Sequence, residues 1–106
     1  VLAGVITLDG TSMEGWAHLL AARTLISSRQ QQAASDTLAA AIQRFANTPV
    51  GEQALWNLAE LVREHFEDAD NAMSIYEQLL RDYPESVYTG PARRWIRKLQ
   101  NGDGAT

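Results

Sequence analysis

Shifted by 38 residues, this chain falls on itself. Ala34, Leu38, Ile42 and Phe45 land on Ala72, Tyr76, Leu80 and Tyr83, Leu20-Ala21 lands on Leu58-Ala59, and Trp56-Asn57-Leu58 meets Arg94-Trp95-Ile96. Self-similarity at a period of a few tens of residues belongs to chains built of stacked supersecondary units, each of which buries its apolar face against the next. Such stacks mostly hold other molecules, so the repeat bears on function as well as on fold.

The apolar spacing is helical almost throughout. Thr11-Ser12-Met13-Glu14 has capping-box spacing and predicts a helix from Met13 to about Ser28, with Trp16, Leu19, Leu20, Leu25 and Ile26 recurring along it. A second helix is expected over 33–45, with Ala34, Leu38, Ala41, Ile42 and Phe45 on one stripe. Thr48 is a good cap and Pro49 a good first helical residue, so a third helix begins at once and runs to about Glu67, with Phe66 read as core. The carboxylates of Asp68-Ala69-Asp70 are placed to cap a fourth helix to Asp82, striped by Ala72, Ile75, Tyr76, Leu79 and Leu80. Tyr83-Pro84-Glu85-Ser86 breaks it, and a last helix ends at Gly102. Connections this short make neighbouring helices antiparallel.

Residues 1–12 read as a poorly ordered leader or the remnant of a preceding element, since Val5–Leu8 is β-prone but has no second strand to pair with. An opening at Val1 without methionine reads as an excised piece or a processed product. Residues 102–106 read as a disordered tail. Between them lies one domain, 13–101, in two units, 13–49 and 50–86, with a closing helix over 87–101.

Composition excludes several function classes. A net charge of −4 argues against a sequence-independent grip on nucleic acid, which needs a clustered basic face. Residues 1–50 hold three acids and three bases, residues 51–106 ten acids and six bases. Four of those bases lie in Arg93–Lys98, and macrodipole complementation at a helix end is their simplest reading. With no cysteine there is neither disulfide nor thiolate metal site, and no apolar run reaches the roughly 20 residues a membrane span needs. His18 and His65 lack zincin spacing, Glu67, Asp68 and Asp70 lack the central glycine of a calcium loop, and the glycines are scattered turn and cap positions. No nucleophile and base fall together, so the expectation is no enzyme, no catalytic residue, no metal and no cofactor.

Ala54-Leu-Trp-Asn-Leu-Ala59, Asp68, Ala72-x-x-x-Tyr76 and Pro84 together resemble a tetratricopeptide repeat. Within it, Tyr76–Tyr88 followed by Ala92-Arg93 resembles the variant found in bacterial envelope proteins, namely the lipoprotein of the β-barrel assembly machine and the periplasmic Tol-associated coordinator of cell-wall synthesis. The first unit keeps the spacing of Leu20-Ala21 and Ala34–Leu38, but its proline, Pro49, comes three residues late, and the 38-residue period exceeds the family's usual value of about 34.

The resemblance implies an all-α fold, antiparallel hairpins stacked as a short right-handed solenoid of about five helices. It also implies a non-enzymatic protein-binding module of the periplasm or envelope, with a peptide or partner helix held on the concave face. It puts Tyr76, Phe45 and Tyr83 in the core; Trp95, on the last helix, closes the end of the stack or takes part in binding. Trp56 maps to the inner face with Asn57, Glu60, Arg63 and Glu64, joined by His18, Leu19 and Ala22 from the first unit. There Trp56 anchors a peptide and Asn57 bonds its backbone. The bland alternative is that Trp56 is packed and the charges are solvated pairs. His18 and Ala22 stand where a dicarboxylate clamp wants lysine and asparagine. A different role is structural: the leader and the Leu19/Leu25/Ile26 surface pack on a neighbouring domain or a second copy of the chain.

Overall fold

The computed structural model describes residues 13–102, so the leader, the capping box around Thr11-Ser12 and the tail beyond Gly102 lie outside the described residues. Within them the chain is all-α, with five helices and no strand. They are α1 (Met13–Ser27), α2 (Gln31–Arg44), α3 (Pro49–Leu61), α4 (Ala69–Asp82) and α5 (Thr89–Gln100). Two compact units meet between Ala54 and Leu55, inside α3.

In the first unit α1 and α2 form a hairpin. Its tight turn is a Schellman arrangement, in which Gln30 N–H donates to Leu25 C=O at 2.7 Å and Arg29 N–H to Ile26 C=O at 3.0 Å. Arg29 takes the left-handed conformation that glycine usually supplies, with φ 64°. The expected stripe forms the core: Ala34, Leu38 and Ala41 are wholly buried, with Phe45 beside them and Leu19 and Ala22 opposing them from α1. His18 meets the Phe45 ring edge-on at 5.7 Å, which ties the first half of α1 to the end of α2.

Leu19 therefore belongs to the interior and not to an outer surface. The large apolar side chains described on α1 that stay exposed are Trp16 and Leu20, one turn apart. The 3.6-residue period alone does not separate Leu19 from Leu20, because both fall on a broad apolar arc.

The helix starts follow the sequence closely. Thr48 Oγ1 accepts from Gly51 N–H at 3.3 Å, with Pro49 as first residue of α3. Asp68 Oδ1 accepts from Asn71 N–H at 3.1 Å and caps α4. Pro91 is the third residue of α5, where its missing N–H has no intrahelical acceptor to lose.

The end of the third helix departs from expectation. Instead of continuing as α-helix to Glu67, residues Val62–Phe66 form a π turn. It closes with Glu67 in the left-handed region at φ 51° and with the Val62 carbonyl accepting from both Glu67 and Asp68. A wider turn advances each residue through a smaller angle, so Phe66 swings off the stripe holding Leu55, Ala59 and Val62. Phe66 is 39% exposed and is not core, contrary to the sequence reading.

Candidate functional site

The π turn also places Arg63. In the second unit α3 and α4 are joined by a polar cluster set in the helix–helix contact. Tyr76, from the middle of α4, is wholly buried. A buried tyrosine needs a partner for its hydroxyl, and this one has two. It donates to Glu60 Oε1 at 2.6 Å and accepts from Arg63 Nε at 3.1 Å. Arg63 Nη2 closes the triangle on the same Glu60 oxygen at 2.8 Å and reaches Glu64 Oε2 at 3.4 Å. The Arg63 side chain is 11% exposed, and its guanidinium lies 3.6 Å over the ring of Trp95 on α5. On the same ring, Lys98 Nζ sits at 5.1 Å.

The aromatic side of the cluster runs the other way. Trp56 stacks on Tyr88 with ring centroids 4.7 Å apart and planes 8° from parallel, and it tilts against Tyr76 at 5.5 Å. An unbroken path of contacts therefore passes from Tyr88 through Trp56, Tyr76, Glu60 and Arg63 to Trp95. It binds both helices of the hairpin and the closing helix.

Electrostatics agree with that geometry. Burial pushes the Tyr76 phenol well above its ordinary pKa, and its hydrogen bond to Glu60 adds to the shift. Burial opposes the charge on Arg63, but the hydrogen bonds to Glu60 and Tyr76 outweigh it and hold the guanidinium above its usual value. No side-chain polar atom buried among the described residues lacks a partner.

A raised tyrosine pKa has a measurable consequence. The unfolded chain loses the Tyr76 proton near pH 10 while the folded chain keeps it. Below that pH the stabilisation is fully present, and above it the unfolded state binds fewer protons, so stability falls as pH rises. The slope approaches ~1.4 kcal/mol per pH unit for one such group. Urea unfolding at a series of pH values from about 8 to 11 should show this decline. The Tyr76→Phe variant should lack that part of the slope, although it starts from a lower stability. Equal slopes in the two proteins would place Tyr76 outside the effect.

Five of the six site residues expected from the sequence thus lie along α3 and its π turn in the second unit. Trp56, Glu60 and Arg63 are half-buried members of the cluster, Asn57 is half-buried beside them, and Glu64 is the most open, with 51% of its side chain exposed. His18 belongs to the first unit, against Phe45. Sequence reading placed Tyr76 in the core but missed its hydroxyl, and it gave no role to Tyr88. The signal for the first was available: a tyrosine at a buried stripe position implies acceptors nearby. For Tyr88, which lies in the connection before α5, no periodicity applied.

The arginine charge is neutralised, the phenol keeps its proton, and among the described residues no three His, Asp or Glu side chains gather as a metal site. What the cluster provides is a packed, hydrogen-bonded wall across α3, α4 and α5.

A tetratricopeptide repeat model matches residues 53–86. The match spans the hairpin of α3 and α4 and supports a TPR-like domain, in a family whose repeats generally mediate protein–protein interaction. It holds Trp56, Asn57, Glu60, Arg63, Glu64 and Tyr76. Tyr88, Trp95 and Lys98, which complete the cluster, lie beyond its end. No curated protein and no solved structure matches the chain.

Proposed function

We propose that this chain is a non-enzymatic protein-binding module, and that its TPR segment holds a peptide or partner helix against the α3 face bearing Trp56, Asn57, Glu60, Arg63 and Glu64. The observation that carries the reading is the coincidence of the repeat match at 53–86 with a pinned hairpin. A stack that already fixes Trp56 and Arg63 presents its half-exposed edges without further loss of side-chain entropy, which favours binding by preorganised groups. Asn57 supplies an amide for a peptide backbone, and Glu64 a charge at the rim. Assembly in the bacterial envelope is the setting that the Tyr76–Tyr88 segment supports by resemblance.

The test uses a variant that keeps Trp56, Glu60, Arg63 and Tyr76 and gives up the 3.4 Å contact of Glu64 with Arg63 at the rim. Wild type and an Asn57→Ala/Glu64→Lys double variant are used for affinity capture from separate envelope and cytosolic fractions of the source cells. Binding of any captured protein is then measured with purified components. A partner held by wild type and weakened about tenfold or more in a still-folded variant supports recognition on this face. Equal binding by both proteins moves recognition elsewhere.

The exposed pair Trp16 and Leu20 on α1 favours a second reading, a structural contact with a neighbouring domain or second copy. Sedimentation at twice the 11.7 kDa chain mass at micromolar concentration, reverting to monomer in a Leu20→Glu variant, supports it. A wild-type monomer removes the second copy.

A further inference from the structure

On the side of α5 turned away from Trp95, α4 and α5 enclose an open groove of about 330 Å³, lined by Glu77, Leu80, Arg93, Ile96, Arg97 and Gln100. Leu80 and Ile96 form a half-exposed apolar floor, and Arg93 and Arg97 stand one turn apart along one wall. Its residues fall on the opposite arc of α5 from Trp95 and Lys98, so this surface is separate from the face proposed above.

The 38-residue repeat supplies a comparison for these positions. Glu77, Leu80, Arg93, Ile96, Arg97 and Gln100 correspond to Ala39, Ile42, Leu55, Leu58, Ala59 and Val62. Those earlier positions are all apolar, and Leu55, Ala59 and Val62 are buried. In the later copy the three buried ones have become arginine, arginine and glutamine. A repeat helix stacking here would bury two guanidinium groups without partners, at a cost of several kcal/mol per ion. The groove keeps an apolar floor but is unsuited to an apolar occupant.

Its charge points the same way. Helix α5 carries Arg93, Arg94, Arg97 and Lys98 and no acid, in a chain of net charge −4. Macrodipole complementation accounts for Arg97 and Lys98, which lie in the last turn. It does not account for Arg93, the fifth residue of the helix, nor for Arg94. Neither the Arg93 nor the Arg97 side chain has an ion pair or hydrogen bond among the described residues, although Glu77 lines the facing wall.

We infer that the α4–α5 groove is a second docking site, for an acidic amphipathic helix. Two apolar residues one turn apart seat on Leu80 and Ile96, and carboxylates flanking them pair with Arg93 and Arg97. Glu77 on the opposite wall fixes the direction of the guest by rejecting acid there. Helix-in-groove recognition of this kind reads apolar anchors at helical spacing, and the two arginines set sign and register.

The test titrates the isotope-labelled full chain with a synthetic 14-residue helix, leucines four apart flanked by glutamates, and with the same helix bearing glutamines, followed by NMR. The length of about four turns covers the groove walls with a turn to spare. Saturable shifts centred on Leu80, Arg93, Ile96 and Arg97 are expected with the glutamate helix. Affinity should fall by at least about tenfold for the glutamine helix and for an Arg93→Glu/Arg97→Glu variant, and should weaken with added salt. The arginine positions are exposed, and circular dichroism and the undisturbed Trp95 signals check that the variant is folded.

Absence of saturable shifts overturns the inference, as does equal affinity for the two helices. Shifts centred on Trp56 and Glu64 overturn it in favour of the other face. Concentration-dependent shifts in the groove without added helix would make a second copy its occupant and overturn it too. Because the readout is located residue by residue, a negative result here leaves the α3-face test standing, and the reverse.

Discussion

Replacing Tyr76 by alanine is expected to destabilise the protein by about 3–5 kcal/mol, the range for removing a wholly buried aromatic ring. The ring fills the space between α3 and α4 and touches Trp56, so its loss leaves a cavity that two pinned helices cannot readily close. The hydroxyl adds its own share. Without it, Arg63 Nε loses its acceptor and Glu60 loses one of its two donors in a largely desolvated place. Tyr76→Phe isolates that share and should cost about 1–3 kcal/mol, the penalty for leaving buried polar partners unsatisfied. Urea unfolding of the three proteins at neutral pH measures both. A phenylalanine variant as stable as wild type would show that water replaces the hydroxyl without loss, and the cluster would then be packing alone.

Trp56→Ala is expected to cost about 2–4 kcal/mol, somewhat less than full aromatic truncation because Trp56 is half-buried. It removes the parallel stack on Tyr88 and the tilted contact with Tyr76 in one step. Tyr88 sits just before α5, so the damage should spread to that helix. Hydrogen exchange should show faster opening of α5 amides in the variant than in wild type. The Trp56→Ala/Tyr76→Ala double variant should lose less than the sum of the two, since the rings share a contact. Full additivity would mean that the stack does not transmit between them. Such a cost also rules out Trp56→Ala as a probe of binding, because a lost partner could not be told from a loosened wall.

How much of this was legible beforehand varies with the physical origin of each feature. The helix starts at Thr48-Pro49 and at Asp68 were readable because capping is local: one side-chain oxygen and a neighbouring amide settle it. The stripe Ala34, Leu38, Ala41 and Phe45 was readable because burial follows helical period when the helix is regular. Phe66 failed on the same rule, since the π turn changes the period just before it.

The candidate site divides in the same manner. The resemblance to a tetratricopeptide repeat, with spacings of three and four residues, led to Trp56, Asn57, Glu60, Arg63 and Glu64 as side chains of one helix face. Spacing on one helix says nothing about what the neighbouring helices bring to it.

What the sequence by itself determined is therefore the all-α repeat, its caps and its buried stripes, because each rests on interactions within a few residues. Only the tertiary structure decided that Arg63 lies on Trp95, that Trp56 stacks on Tyr88 and that Glu60 accepts a hydrogen bond from the Tyr76 hydroxyl. Those contacts join residues 13 to 32 positions apart. No local preference encodes them: they exist because packing three helices together removes water from groups that must then satisfy one another.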